Sequence, residues 1–230
     1  MPPGLSFLQF LKRIAGGRFT YLLAFMFFSI LAFPVLEQAA YGPVIIQVSY
    51  SIMLVSALYA VWHVRWIFRT GVVLFLAAIL SHWWIVLTLD PIAVFVGVFL
   101  EILFFCFVAG SVLLHVFGHE QVTGDTIAGS ICVFFLMGII WMLAYQGIYF
   151  FDHEAFHNVS ARSFTPAATA DLIYYSFATL TTLGYGDIVP LSKAARMVAV
   201  TEAILGQIFL TVLVARLVGL YGLKRVQRAQ

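Results

Sequence analysis

What this sequence has little of is charge. Of its 230 residues, 10% are Asp, Glu, Lys or Arg, where an ordinary soluble domain carries about 25%. Hydrophobic residues make up 63%, and the mean hydropathy is +1.04. A soluble globule of this composition would expose more apolar surface than soluble monomers tolerate. That excludes a soluble enzyme, a nucleic-acid module and a disordered chain, and leaves an integral membrane protein. A net charge of +2 implies neither a strongly acidic nor a strongly basic partner. Cysteine is scarce as well: Cys106 and Cys132 both lie in apolar runs and are expected as buried thiols, not as a disulfide or metal site. No nucleophile–base or metal-ligand spacing occurs, so an enzyme is not expected.

Long apolar runs are present at 19–36, 44–63, 71–89, 92–116, 128–150 and 194–221. Each approaches or exceeds the roughly 18 to 20 residues that span a bilayer as helix. The first five hold a single charged residue, Glu101. The runs are continuous and do not alternate, which argues against a β-barrel. The expected fold is therefore all-α, with six transmembrane helices.

The short segments between the runs set the orientation. Lys12, Arg13, Arg18, Arg65, Arg69, Lys224, Arg225 and Arg228 fall on one side if there are six crossings, and that side is cytoplasmic by the positive-inside rule. Both termini are expected inside a cell membrane. Glu37, Asp90, Asp152 and Glu154 fall on the other side, with Arg162, Lys193 and Arg196 as exceptions. Residues 1–18 read as a cytoplasmic N-terminal segment with an interfacial amphipathic pattern. Residues 19–116 read as a four-helix transmembrane domain, 117–127 as a cytoplasmic linker, 128–222 as a further domain and 223–230 as a short cytoplasmic tail.

The chemistry lies between the last two runs. Ala170 to Leu180 is too short to cross a bilayer but suits a re-entrant helix, with Thr169 as its cap and Asp171 favouring its positive end. Thr181 to Asp187, TTLGYGD, holds two closely spaced glycines and is not expected to be helix. Irregular backbone at membrane depth is tolerated only inside protein or along a water-filled path.

Thr179-x-x-Thr182-Leu183-Gly184-Tyr185-Gly186-Asp187 resembles the selectivity-filter signature of potassium channels, with Leu183 where Val or Ile is usual. The resemblance covers roughly 128–222 and implies an outer helix, a pore helix, a filter and an inner helix. Carbonyl groups of Thr182, Leu183, Gly184 and Tyr185, with the Thr182 hydroxyl, would replace the water around K⁺, and Gly186 completes the filter. Gly184 and Gly186 would supply the backbone freedom such a run needs. The Leu183 and Tyr185 side chains would point backwards and wedge the strand against the pore helix. Thr179, Thr181, Asp187, Tyr174 and Tyr175 would support the filter. Ala178 stands where some family members place a Glu that pairs with the acid after the filter, so Asp187 needs another partner, and Tyr174 or Tyr175 can donate to it.

One strand supplies too few oxygens around an axis, so the resemblance implies a homotetramer in contact with membrane lipids. It implies K⁺ as the permeant ion and no cofactor. Gly206 follows Gly184 by the spacing of the hinge glycine in two-helix bacterial potassium channels, and is a gating-hinge candidate beside a helix-packing role. By the same alignment Gln207, Leu210, Val214 and Val218 would line the cavity.

The fourth run has no Arg or Lys. Voltage sensors place such a residue at every third position of that helix, so weak or no voltage dependence is expected. Glu101 and Glu202 are intramembrane carboxylates, candidate sensors or hydrogen-bonded helix ties. The sequence ends a few residues after the last apolar run, so gating by a C-terminal domain is not expected. A nonselective cation channel on the same scaffold and a potassium transporter subunit are the competing functions.

Overall fold

The six apolar runs become helices, three of which begin at a side-chain cap. The structure is a computed structural model that describes residues 18–37, 41–62, 65–118, 123–159 and 164–227, with α7 side chains as far as Arg216. The helices are α1 (Arg18–Glu37), α2 (Gly42–Ala60), α3 (Arg65–Thr88), α4 (Pro91–Gly118), α5 (Gly124–Phe151), α6 (Pro166–Leu180) and α7 (Lys193–Gln227), with strands β1 (Phe156–His157) and β2 (Val189–Pro190). Among the described residues, α3, α4, α5 and the Lys193–Arg216 part of α7 are long and apolar enough to cross a membrane. The apolar stretches of α1 and α2, Phe19–Ala32 and Val44–Ala60, are shorter than those of the other four. The amphipathic N-terminal segment lies outside the described residues.

Each start has a local cause. Leu89, with φ +48°, turns the chain, and the Asp90 carboxylate then accepts the free N–H groups of Ile92 and Ala93 at the head of α4. Thr123 and Thr126 form a reciprocal capping box on α5. The Ser192 hydroxyl accepts from the Ala195 N–H at the head of α7.

Packing proceeds around α5. It is buried along most of its length, between α4, α1, α6 and α7. A Cβ at Gly129 would lie 3.0 Å from Phe19 and Val116, so α1 and α4 both approach its backbone closely there. α7 is covered on one side only: Met197, Val200, Ile204, Ile208, Val212 and Val214 stay exposed. Tyr21, Tyr59, Trp62 and Trp66 are exposed near helix ends, where amphipathic rings suit a membrane interface.

Several expectations are corrected. α3 begins at Arg65 and α5 at Gly124, so Arg65 and Asp125 lie in first turns and Arg69 just beyond one, and none of them in a link. Asp125 accepts from the Phe19 backbone N–H. Cys132 is buried, with its thiol on the Phe19 carbonyl, but Cys106 is exposed on the outer face of α4. An apolar run that packs on one side only leaves such a thiol outside.

Candidate pore and filter loop

α6 starts earlier than the sequence suggests. Thr165 is its N-cap, accepting from the Ala168 N–H, and Pro166 opens the helix where a missing N–H costs nothing. Thr169 therefore sits inside the helix; its hydroxyl donates to the Thr165 carbonyl and accepts from the Gln146 amide of α5. Asp171 is likewise past the first turn, too far along to act on the positive end of the helix.

α6 is seated on α5 at Gly138. A Cβ there would fall 2.6 Å from the Phe177 ring, so only glycine permits the approach. The Ser176 hydroxyl lies 2.8 Å from the Gly138 carbonyl and 2.6 Å from Glu202 Oε1 of α7. The Tyr145 hydroxyl of α5 donates to Glu202 Oε2 at 2.5 Å. Glu202 is fully buried, and this web joins α5, α6 and α7 directly behind the loop.

The chain leaves α6 by a tight turn. The Thr182 N–H reaches the Thr179 carbonyl, and those of Leu183 and Gly184 both reach the Ala178 carbonyl. Thr182, Gly184 and Gly186 then have φ of +58°, +56° and +80°. Left-handed residues thus alternate with ordinary ones along 182–186. Thr182 is the left-handed residue that ends α6 in a Schellman-type turn, a conformation that costs a threonine about 1–2 kcal/mol. Residues 181–187 are all exposed in a single chain.

The outer end of the loop is tied down on two sides. The Tyr174 hydroxyl donates to Asp187 Oδ2 at 2.8 Å. This bond is the main reason the Asp187 carboxyl sits below its usual range, helped by the backbone N–H groups of Asp187 and Ile188. The Asn158 amide donates to the Asp187 carbonyl at 3.2 Å. β1 and β2 pair antiparallel, Phe156 opposite Pro190 and His157 opposite Val189, which fixes the segment before α6 to the segment after residues 181–187. Tyr185 stacks on Tyr174, centroids 6.5 Å apart at 9°, yet stays 70% exposed, and Leu183 is 54% exposed. Tyr185 thus meets its own α6 only through the Tyr174 ring, and Leu183 is left largely uncovered in a single chain.

On α7, Gly206 is buried, and a Cβ there would lie 2.8 Å from both the Leu180 carbonyl oxygen and Leu180 Cδ1. Gln207 and Val214 are exposed, Leu210 is half-buried, and the Val218 side chain lies outside the described residues. Glu101, 2% exposed, lies between His82 and Tyr50. Among the described residues no group of three His, Cys, Asp or Glu side chains could hold a metal.

Four contributors escape sequence reasoning. Ser176, Tyr145 and Asn158 look like ordinary polar residues until distant elements meet. Arg216 of α7 donates to the Phe117 carbonyl at 2.7 Å, with its guanidinium 4.3 Å over the Phe117 ring, linking α7 to the end of α4. An arginine late in an apolar helix was the available signal.

No curated protein matches this chain, and no solved structure does. Residues 136–221, which hold most of α5, all of α6 and the filter loop, and most of α7, match the model of a family described as ion channel, and the likeness to potassium channels thereby rests on an ion-channel domain as well as on a motif.

Proposed function

We propose that the chain is the subunit of a homotetrameric potassium channel, with 182–186 as its filter and α7 lining the conduction path. The observation that carries this reading is the alternation of left-handed residues at Thr182, Gly184 and Gly186, in a loop slung between a re-entrant helix and an inner helix. K⁺ passes when backbone carbonyls replace its hydration shell at a cost close to that of dehydration. Four copies of the loop supply the ring of oxygens. The exposed apolar face of α7 and the uncovered Leu183 and Tyr185 side chains are surfaces that a tetramer would bury. α6 points its C-terminal end at the filter entrance, and the negative end of its dipole favours a cation there.

The pore is passive and weakly or not voltage-gated, with the termini on the cytoplasmic side of the cell membrane. The test is purified protein in liposomes, with reversal potentials in mixed K⁺ and Na⁺. A potential that follows the K⁺ gradient supports the reading. A potential insensitive to exchanging K⁺ for Na⁺ assigns a nonselective channel, and uphill K⁺ uptake assigns a transporter.

A further inference from the structure

The four-helix unit and the re-entrant helix are not packed solidly against each other. Between them lies a partly open cavity of about 100 Å³. Its walls are apolar, built from Met26 of α1, Met53 of α2, Ile85 of α3, Leu143 of α5, and Ile173 and Phe177 of α6. One corner is polar. There His82 Nδ1 lies 3.2 Å from Glu101 Oε1, and His82 Nε2 lies 2.8 Å from Gln47 Oε1. The Tyr50 hydroxyl donates to Glu101 Oε2 at 2.7 Å, and its ring stacks on His82.

These bonds use the Gln47 carbonyl and leave its amide N–H groups without a partner among the described residues. The Ser29 hydroxyl, also lining the cavity, is buried and has no partner either. A helical serine ordinarily bonds back to the carbonyl four residues earlier, as Ser51 and Ser111 do here. Two donors are thus presented to an apolar space beside a carboxylate. A carboxylate ligand would meet Glu101, and a ligand with no acceptor, such as an ammonium, would leave the two donors unpaired. A hydroxyl accepts from Ser29 and Gln47 and can donate in turn to Glu101. The size agrees: an engineered apolar cavity of about 150 Å³ takes benzene, so about 100 Å³ suits a chain of roughly three or four carbons, with a longer tail leaving by the open side.

We propose that this cavity is a binding site for a neutral alkyl alcohol, its hydroxyl held by Ser29 and Gln47 and its chain lying against Ile173 and Phe177 of the pore helix. Occupancy joins α1 and α2 to the helix that carries the filter. The site does not depend on the potassium reading, since it is defined by binding alone.

The test is photolabelling of the full-length protein in liposomes with a diazirine derivative of 1-hexanol, followed by peptide mapping. Label on cavity-lining residues of α1, α2 or α6, competed away by 1-butanol, is the expected result. A hydroxyl-free diazirine alkane should label the same residues at least fivefold less. Ser29→Ala and Gln47→Leu should each lower alcohol labelling severalfold, with helicity by circular dichroism confirming that the variants fold. Label spread over lipid-facing residues such as Leu76 and Leu80 would overturn the proposal. Equal labelling by the alkane would reduce the site to an apolar void, and absence of label from the cavity would assign it to water; either result overturns it too. Because labelling is read without ion flux, a chain that failed to conduct K⁺ would still give a clear answer here.

Discussion

The Ser176 hydroxyl of the pore helix lies 2.6 Å from the Glu202 carboxylate of the inner helix. Ser176 has one proton and two acceptors in reach, Glu202 Oε1 and the Gly138 carbonyl, while Tyr145 donates to the other Glu202 oxygen. Ala178 removes the pore-helix carboxylate that some potassium channels use behind the filter. Here the carboxylate comes from α7 instead, so α7 is tied to α5 and α6 next to the loop proposed as the filter.

Glu202→Gln should therefore be tolerated, because an amide can donate to Ser176 and accept from Tyr145. Glu202→Ala leaves the buried Tyr145 hydroxyl unsatisfied, at about 1–3 kcal/mol, and leaves Ser176 with the Gly138 carbonyl alone. We expect the alanine variant to lose several degrees of thermal stability and to pass K⁺ with reduced selectivity over Na⁺. An alanine variant matching the wild type in both melting and reversal potential would remove Glu202 from the filter's support.

Gly206 meets the same region from the other side. A methyl group there would overlap the Leu180 carbonyl, the last residue of the pore helix. Gly206→Ala should cost about 1–3 kcal/mol by overpacking and push on the backbone that leads into Thr181 and Thr182. Single-channel recording separates this packing role from a hinge. A hinge substitution changes open probability and leaves selectivity intact. A displaced Leu180 shifts K⁺ over Na⁺ selectivity as well, and that is the expected result.

The sequence expresses backbone requirements more openly than side-chain partnerships. The left-handed positions at 184 and 186 are written as glycines, because no other residue adopts them cheaply. The equivalent position at Thr182 carries no such mark, since a threonine there is a strained exception. Tyr174 is legible as a donor to Asp187 because both lie within one re-entrant unit, 13 residues apart. The Glu202 web is not, because its partners stand 26 and 57 residues away on helices whose facing sides only packing decides. The start of α6 is misjudged for a related reason: Thr165 and Thr169 are both plausible caps, and Pro166 decides between them. Cys106 shows the limit of composition, which places a thiol in an apolar run without saying which side of the helix is covered.

The fourth helix should leave conduction almost independent of voltage. Each elementary charge crossing the field contributes about 2.3 kcal/mol per 100 mV. α4 carries Glu101 alone among Asp, Glu, Lys and Arg, and that side chain is held by His82 and Tyr50. The expected conductance–voltage relation is shallow over roughly 100 mV on either side of zero. A steep relation requiring several charges per subunit would contradict the reading.

Acid on the outer face should act through Asp187. Tyr174 holds its carboxyl below the ordinary carboxylate range in the folded protein. The linkage runs in one direction: a depressed carboxyl contributes stability that is fully present above its unfolded-state pKa and is lost as pH falls through the folded one. The tie between Tyr174 and Asp187 should therefore persist at neutral and mildly acidic pH and break only below the ordinary carboxylate range. Tyr174→Phe removes the largest cause of the shift and also leaves the Asp187 end of the filter loop held mainly by Asn158. Its K⁺ flux should decline at a higher external pH than that of the wild type, with the acid midpoint moving up toward ordinary carboxylate values. Asp187→Asn, which cannot titrate, should flatten that acid limb. Flux measured against external pH for the three proteins checks the assignment, and identical acid limbs in all three would place the titrating group elsewhere.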